Sequence, residues 1–185
     1  MKQGNIVSYV LRISLTLLVI TAFVALALAG VNSITAQRIA KINEQKIQQA
    51  ISKVLPGAEV YGEMETFADA TGFVMAVHEA DMGYAVEVAP TGFGGTITMM
   101  VGVTNEGKVC GISVVSHTET AGLGSVAAAN TSAGETFRGQ FVGASGTLAV
   151  DKDGGDVDSI TSATITSRAV VAGVNAALEC VANLG

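Results

Sequence analysis

Residues 158–167, DSITSATITS, hold six Ser or Thr behind one leading Asp, just ahead of the apolar pattern of a final helix. Hydroxyls in that position have two chemical uses. A Ser or Thr oxygen caps a helix by accepting a bond from one of its first free N–H groups. One cap needs one hydroxyl and an adjoining turn takes a second, so six exceed the structural need. The other use draws on the helix itself. Its N-terminus presents unpaired N–H groups and a partial positive charge, which favour a phosphate. A Thr hydroxyl held there is placed to be esterified by a phosphate, with the helix stabilising the charge left on the diester. Ala163 is small enough to let a bulky group approach the backbone. Asp158 is a candidate to orient the hydroxyl or to hold a metal for a transferase.

Asp158, Thr161, Ser162, Ala163 and Thr164 follow a pattern. It resembles the flavin-attachment motif of the FMN-binding domain family: Asp, two residues, Ser or Thr, Gly or Ser, Ala, Thr. The resemblance implies that a flavin transferase moves FMN from FAD onto Thr164 through a phosphoester, with Thr161, Ser162 and Ala163 beside the link. Gly is the commoner residue where this chain has Ser162. A second stretch, SHTETAGLGS at 116–125, resembles the HxETPGLG loop of the same family, with Ala121 where Pro is usual. It implies a loop near the flavin, with Glu119, Thr120 and Leu123 offering side chains and Gly122 and Gly124 offering backbone. His117 and Glu119 also read plainly as a strand-end histidine bonded locally and a loop carboxylate. LPGA at 55–58, the stretch at 83–103 and FRGQF at 137–141 fit as well, so the resemblance spans nearly the whole chain.

A short, singly anchored form of this family belongs to the Rnf complexes, ion-translocating ferredoxin:NAD oxidoreductases. A longer relative belongs to the sodium-pumping NADH:quinone reductases. The resemblance therefore implies a covalent-FMN electron relay with no catalytic residue of its own. Its partners would be the other membrane and peripheral Rnf subunits, with the flavin transferase acting in maturation. In the chain itself, no GxGxxG follows a strand and no ferredoxin-type cysteine cluster occurs. Two readings from other classes stay open: a membrane-anchored scaffold without a redox cofactor, in which Thr164 is only a helix cap, and a signal-cleaved secreted flavoprotein.

The elements that must position these residues begin with residues 13–31, ISLTLLVITAFVALALAGV, which carry no charge. A bilayer core takes roughly 20 apolar residues of helix, so this is a candidate membrane span. It also explains why hydrophobic residues reach 49% of the chain. ALA at 27–29 resembles a signal-peptidase site, but the helical pattern runs on through Ile34, Ile42, Ile47 and Ile51, which favours a retained anchor. Pro56 and Gly57 then stop the helix. Lys2 and Arg12 precede the span and Arg38, Lys41 and Lys46 follow it, so loop charge barely sets the orientation. Without Lys2 and Arg12, the ten basic residues become eight against sixteen acidic ones. A part so acidic is a poor partner for nucleic acid or anionic lipid, which favours the outer face of the cell membrane.

GFVMAVHEA, GYAVEVAP, GTITMMVGVT and KVCGISVVSH are short, β-branched and bounded by turn residues, and read as strands. The last two are joined by a hairpin at 105–107. Residues 124–147 show no clear pattern, and 152–158 read as a turn. From Ser167 onward, Val170, Val171, Val174, Ala177, Leu178 and Val181 mark one helix face. Tyr84 and Phe93 read as core ahead of flavin contacts in a chain with six Phe and three Tyr, and the six methionines, Met99 and Met100 among them, read as core or interface. Cys110 and Cys180, far apart and without a nearby histidine pair, read as buried free thiols and not as a metal site. The expected architecture is α+β: one N-terminal transmembrane helix (1–31), an amphipathic continuation (32–57), and an FMN-binding domain (58–185) built as an antiparallel sheet covered by helices.

Overall fold

A computed structural model describes residues 3–64 and 69–184, with side chains from Ser8 onward. Lys2, used above for orientation, lies outside them. The chain divides into two units, residues 1–45 and 46–185. The described residues of the first unit are all helical, as part of α1 (Gln3–Val54), and the helix is unbroken at the ALA of 27–29. Its apolar side chains are exposed, Leu15, Phe23, Leu26 and Ile34 among them. The hydroxyls of Thr16, Thr21 and Thr35 donate to Arg12 O, Leu17 O and Val31 O one turn back. An apolar helix with its polar groups satisfied internally is what a bilayer admits.

In the second unit the last turns of α1 have a core to enter. Ala50, Ile51, Val54 and Leu55 are buried with Ala80, Ala85 and Met100 of a sheet. Gly102 permits that approach, since a Cβ there would stand 2.5 Å from the Val54 carbonyl oxygen. The sheet is an antiparallel meander in the order β1 (Val60–Glu63), β2 (Val74–Ala80), β3 (Gly83–Val88), β4 (Thr98–Thr104), β5 (Val109–Ser116). The four strands expected from the sequence are β2 to β5. The edge strand β1 is an addition to them, because its four residues are all exposed and show no buried alternation. The β4–β5 turn closes with Gly107 N–H donating to Thr104 O at 2.9 Å, Gly107 having φ +74°.

The opposite sheet face, with Val77, Val86, Val88, Met99, Val101 and Val103, is covered by α3 (Thr164–Ala182). All six residues expected on its inner face are buried. Each Val or Leu so buried stabilises the fold by about 1.5–3 kcal/mol. α3 is long and apolar enough to cross a membrane, but most of it is buried in this core. The unassigned stretch 124–147 holds a 3-10 turn (Gly124–Ala128) and α2 (Ser132–Gly139), whose Phe137 meets Phe141 edge-to-face at 5.5 Å. Both cysteines are free; Cys180 is buried and Cys110 only half-buried.

His78 on β2 is buried, and its Nε2 has no partner among the described residues. Burial holds its pKa below the ordinary value, against the pull of Glu63 directly opposite on β1. On the same face of β3, burial and then Glu63 push the Glu87 carboxyl up. A histidine with a lowered folded pKa binds more protons when unfolded. Its contribution to stability is present above its ordinary value of 6.5 and is lost as the pH falls through the folded pKa. Glu87 acts in reverse, losing its contribution as the pH rises through its raised pKa. Chemical denaturation at pH 7.5 and 5.5 is expected to show a smaller loss of stability on acidification in His78→Leu than in the unaltered chain. Equal losses would exclude His78 as a source.

Candidate cofactor site

α3 starts at Thr164, three residues earlier than the apolar pattern suggests. The residue at its N-cap is Ala163, and no side chain caps the helix. The hydroxyls of 158–167 are therefore not used as caps. Ser167 Oγ accepts from Ile160 N–H at 2.9 Å and donates to Ala163 O at 3.1 Å, closing the turn that leads into the helix. Thr166 Oγ1 donates to Glu119 Oε2 at 2.5 Å. Thr164 is half-buried, and among the described residues its hydroxyl makes no hydrogen bond. Thr164 and the other residues of this uncapped first turn, Ile165 and Thr166, line one cavity of about 360 Å³.

Three segments wall that cavity, and Glu119 joins them. It is 9% exposed. One carboxylate oxygen takes the Thr166 hydroxyl of α3, and the other accepts Gly94 N–H at 2.8 Å from the loop between β3 and β4. Its own N–H donates to His117 Nδ1 at 3.2 Å, the local bond that the plain reading of His117 anticipates. Gly124 fits beneath this junction, as a Cβ there would stand 2.3 Å from Glu119 Oε2 and 2.5 Å from Thr166 Oγ1. Both oxygens of Glu119 are thus committed within the protein.

The structure gathers most of the residues singled out from the sequence. Glu119, Thr120, Leu123, Gly124, Ser162, Ala163 and Thr164 all line the cavity. Thr161 and Gly122 do not; they line a neighbouring cavity of about 430 Å³ with Asp158 and Phe137. Asp158 is exposed there, and its backbone is paired with Gln140. Ile165 and Thr166 are lining residues that the sequence reading leaves out, and Phe93 is one that it weighs as a ligand contact but favours as core. Phe93 is not core: it is 69% exposed at the rim, while Tyr84 packs on the core and Met99 and Met100 are buried in it. Thr166 can be found only by asking what the fifth of the six hydroxyls is for.

No Lys or Arg lines the cavity among the described residues. Arg168, one turn into α3, is held outside it by Asp153, at 2.7 Å and 2.6 Å from its two carboxylate oxygens. Negative charge at Thr164 would be met by the helix N-terminus alone, an effect of about 0.3–1 kcal/mol at exposed sites and up to about 2 when partly buried.

Ser162 is the one non-glycine residue with a positive φ, +61°, among the described residues. This explains physically why the family pattern favours Gly there. A short polar residue tolerates the left-handed region; a β-branched one does not. Ser162→Val is expected to cost about 1–3 kcal/mol in thermal or denaturant unfolding, and Ser162→Gly to be near neutral. A tolerated valine would mean that the turn is not left-handed.

Residues 92–179 match the FMN-binding domain family, a stretch that includes Phe93, the loop of Glu119 and all but the end of α3. Over 95% of its length the chain is 31% identical to the G subunit of the Na⁺-translocating ferredoxin:NAD⁺ oxidoreductase complex of Acetobacterium woodii, covering 93% of that relative. It is likewise 31% identical to the G subunit of the proton-translocating ferredoxin:NAD⁺ oxidoreductase complex of Clostridium ljungdahlii, over 96% of this chain and 92% of that one. The chain belongs to this family of G subunits. Another member, the G subunit of the ion-translocating oxidoreductase complex of Stutzerimonas stutzeri, is 33% identical over 90% of this chain and 78% of its own. The similarity within the family thus takes in α1 as well as the domain, and the apolar N-terminal helix accords with membrane association.

Proposed function

We propose that this chain is the FMN-carrying electron-relay subunit of a membrane-bound, ion-translocating ferredoxin:NAD oxidoreductase complex of the Rnf type. FMN would be joined to Thr164 as a phosphoester by a flavin transferase. The observation that carries the reading is the start of α3. A Thr hydroxyl with no hydrogen bond among the described residues sits on an uncapped first turn, beside a cavity with Ala163 and Gly124 at its wall. That is the arrangement a phosphoester needs: a free nucleophile, N–H groups for the phosphate oxygens, and room for the group attached. Flavin chemistry supplies transfer of one or two electrons. The chain's own residues supply the site: Thr164 the link, the first turn of α3 the charge stabilisation, Glu119 the fixed relation of the walls, and the cavity lining the exclusion of water.

Residues 1–31 act as the anchor, 32–57 as the connecting helix and 58–185 as the flavin domain, and its acidity supports the outer face of the membrane as its side. The other membrane and peripheral subunits provide the electron donors and acceptors. The uncharged span at 13–31 fits an anchor and docking surface better than an ion path. The test is intact and peptide mass of the full chain co-produced with a flavin transferase. A gain equal to FMN less one water, mapped to the tryptic peptide 153–168, is the expected result. No gain, with the transferase active on a control substrate, would overturn covalent attachment and leave a scaffold reading in front.

A further inference from the structure

The loop at 91–96 is held by bonds within itself and to residues 118–119. Gly92 N–H donates to Gly95 O at 2.8 Å, and Thr91 bridges to Thr96. Thr118 Oγ1 donates to Gly94 O at 2.9 Å, while Gly94 N–H donates to Glu119 at 2.8 Å. Packing is tight enough that a Cβ on Gly92 would stand 2.4 Å from Glu119 Oε1, and one on Gly94 2.3 Å from Thr118 O. From this locked backbone a single large apolar side chain, Phe93, projects with 69% of its surface exposed. It lines the cavity that Thr164 opens on, together with the exposed Leu123 and Ile165.

Exposing an aromatic ring costs hydrophobic stabilisation. We propose that Phe93 is the stacking surface for the flavin ring system, and that Glu119 is the positioning residue that holds this surface in register with Thr164. The inference rests on the FMN reading above and adds the residue that would recognise the ring. A planar fused heteroaromatic suits the face of a phenyl ring. Leu123 and Ile165 suit its apolar edge. Glu119 acts through others: one oxygen fixes the loop that carries Phe93, and the other fixes the helix that carries Thr164.

The test uses the full chain, co-produced with a flavin transferase, with Phe93→Trp and Phe93→Leu alongside. Intact mass reports attachment separately from ring contact. Indole quenches an excited flavin by electron transfer at contact distance, so Phe93→Trp is expected to lose most of the bound-flavin fluorescence at an unchanged mass gain. In a Thr164→Ala background, free FMN is titrated with and without Phe93→Leu, and Kd is expected to weaken by about 2- to 10-fold. Normal attachment with unchanged fluorescence in Phe93→Trp would overturn the proposal and assign Phe93 to contact with another protein of the complex. If the unaltered chain gains no mass, covalent attachment fails on its own. The titration then decides Phe93, and an unchanged Kd or an absence of binding would overturn the stacking role.

Discussion

Thr164→Ala is expected to abolish FMN attachment while leaving the chain folded. The two halves of this expectation come from the same geometry. The Thr164 hydroxyl makes no hydrogen bond among the described residues, and it is not the helix cap. Removing it therefore breaks nothing in the fold, and alanine is the better helix former. The stability change should lie within about 0.5 kcal/mol. A Thr that served only as a cap would cost about 1 kcal/mol on the same substitution, so unfolding and mass spectrometry together separate the two roles. Thr164→Ser should retain the attached mass, because a hydroxyl remains at the same point. Persistence of the mass in Thr164→Ala would move the link to a neighbour, Ser162 first, since it lines the same cavity.

Glu119→Ala should have the largest effect on stability of any single change at the site. The substitution strands two donors, Gly94 N–H and Thr166 Oγ1, and opens a gap where the carboxylate stood. Leaving a buried donor such as the Thr166 hydroxyl unsatisfied costs roughly 1–3 kcal/mol, and the exposed Gly94 can turn to water, so the loss amounts to about 2–3 kcal/mol. Glu119→Gln keeps an acceptor for Gly94 and a polar atom for Thr166, and should cost about 1 kcal/mol. Denaturant unfolding of the three proteins measures this directly. FMN attachment should fall with stability in the alanine variant and survive in the glutamine one. If alanine were tolerated as well as glutamine, the carboxylate would not be the junction of the three walls.

The sheet is legible in the sequence because β2 to β5 are rich in β-branched residues and end in Gly, Pro or Asn. β1 is not: four exposed residues with Gly62 among them carry no alternation, and pairing with β2 alone makes them a strand. The inner face of α3 can be read from its valines, but its first turn cannot. Thr164, Ile165 and Thr166 are β-branched residues of low helix preference, and they are helical because Ser167 closes the preceding turn. At the site, the resemblance of 158–164 and 117–124 to the family's motifs brings forward most of the residues that line the cavity. Phe93 sits between glycines, a context equally suited to core or surface. Only the bonds from the 117–119 segment to Gly94 decide it. The Glu119–Thr166 contact joins residues 47 positions apart, which no local pattern encodes.

The first turn of α3 belongs to a helix whose far side is sunk in the sheet, with Val170 and Val174 wholly buried. A group bonded to Thr164 inherits that immobility. Prosthetic groups carried on long flexible arms travel between stations, whereas one set on such a helix is itself a station. It has the torsions of one threonine side chain and of its own ribityl and phosphate linkers, and no more. Electrons would then reach it only where a neighbouring redox centre comes within tunnelling range. Within the domain, movement of the group relative to α3 would be confined to those torsions.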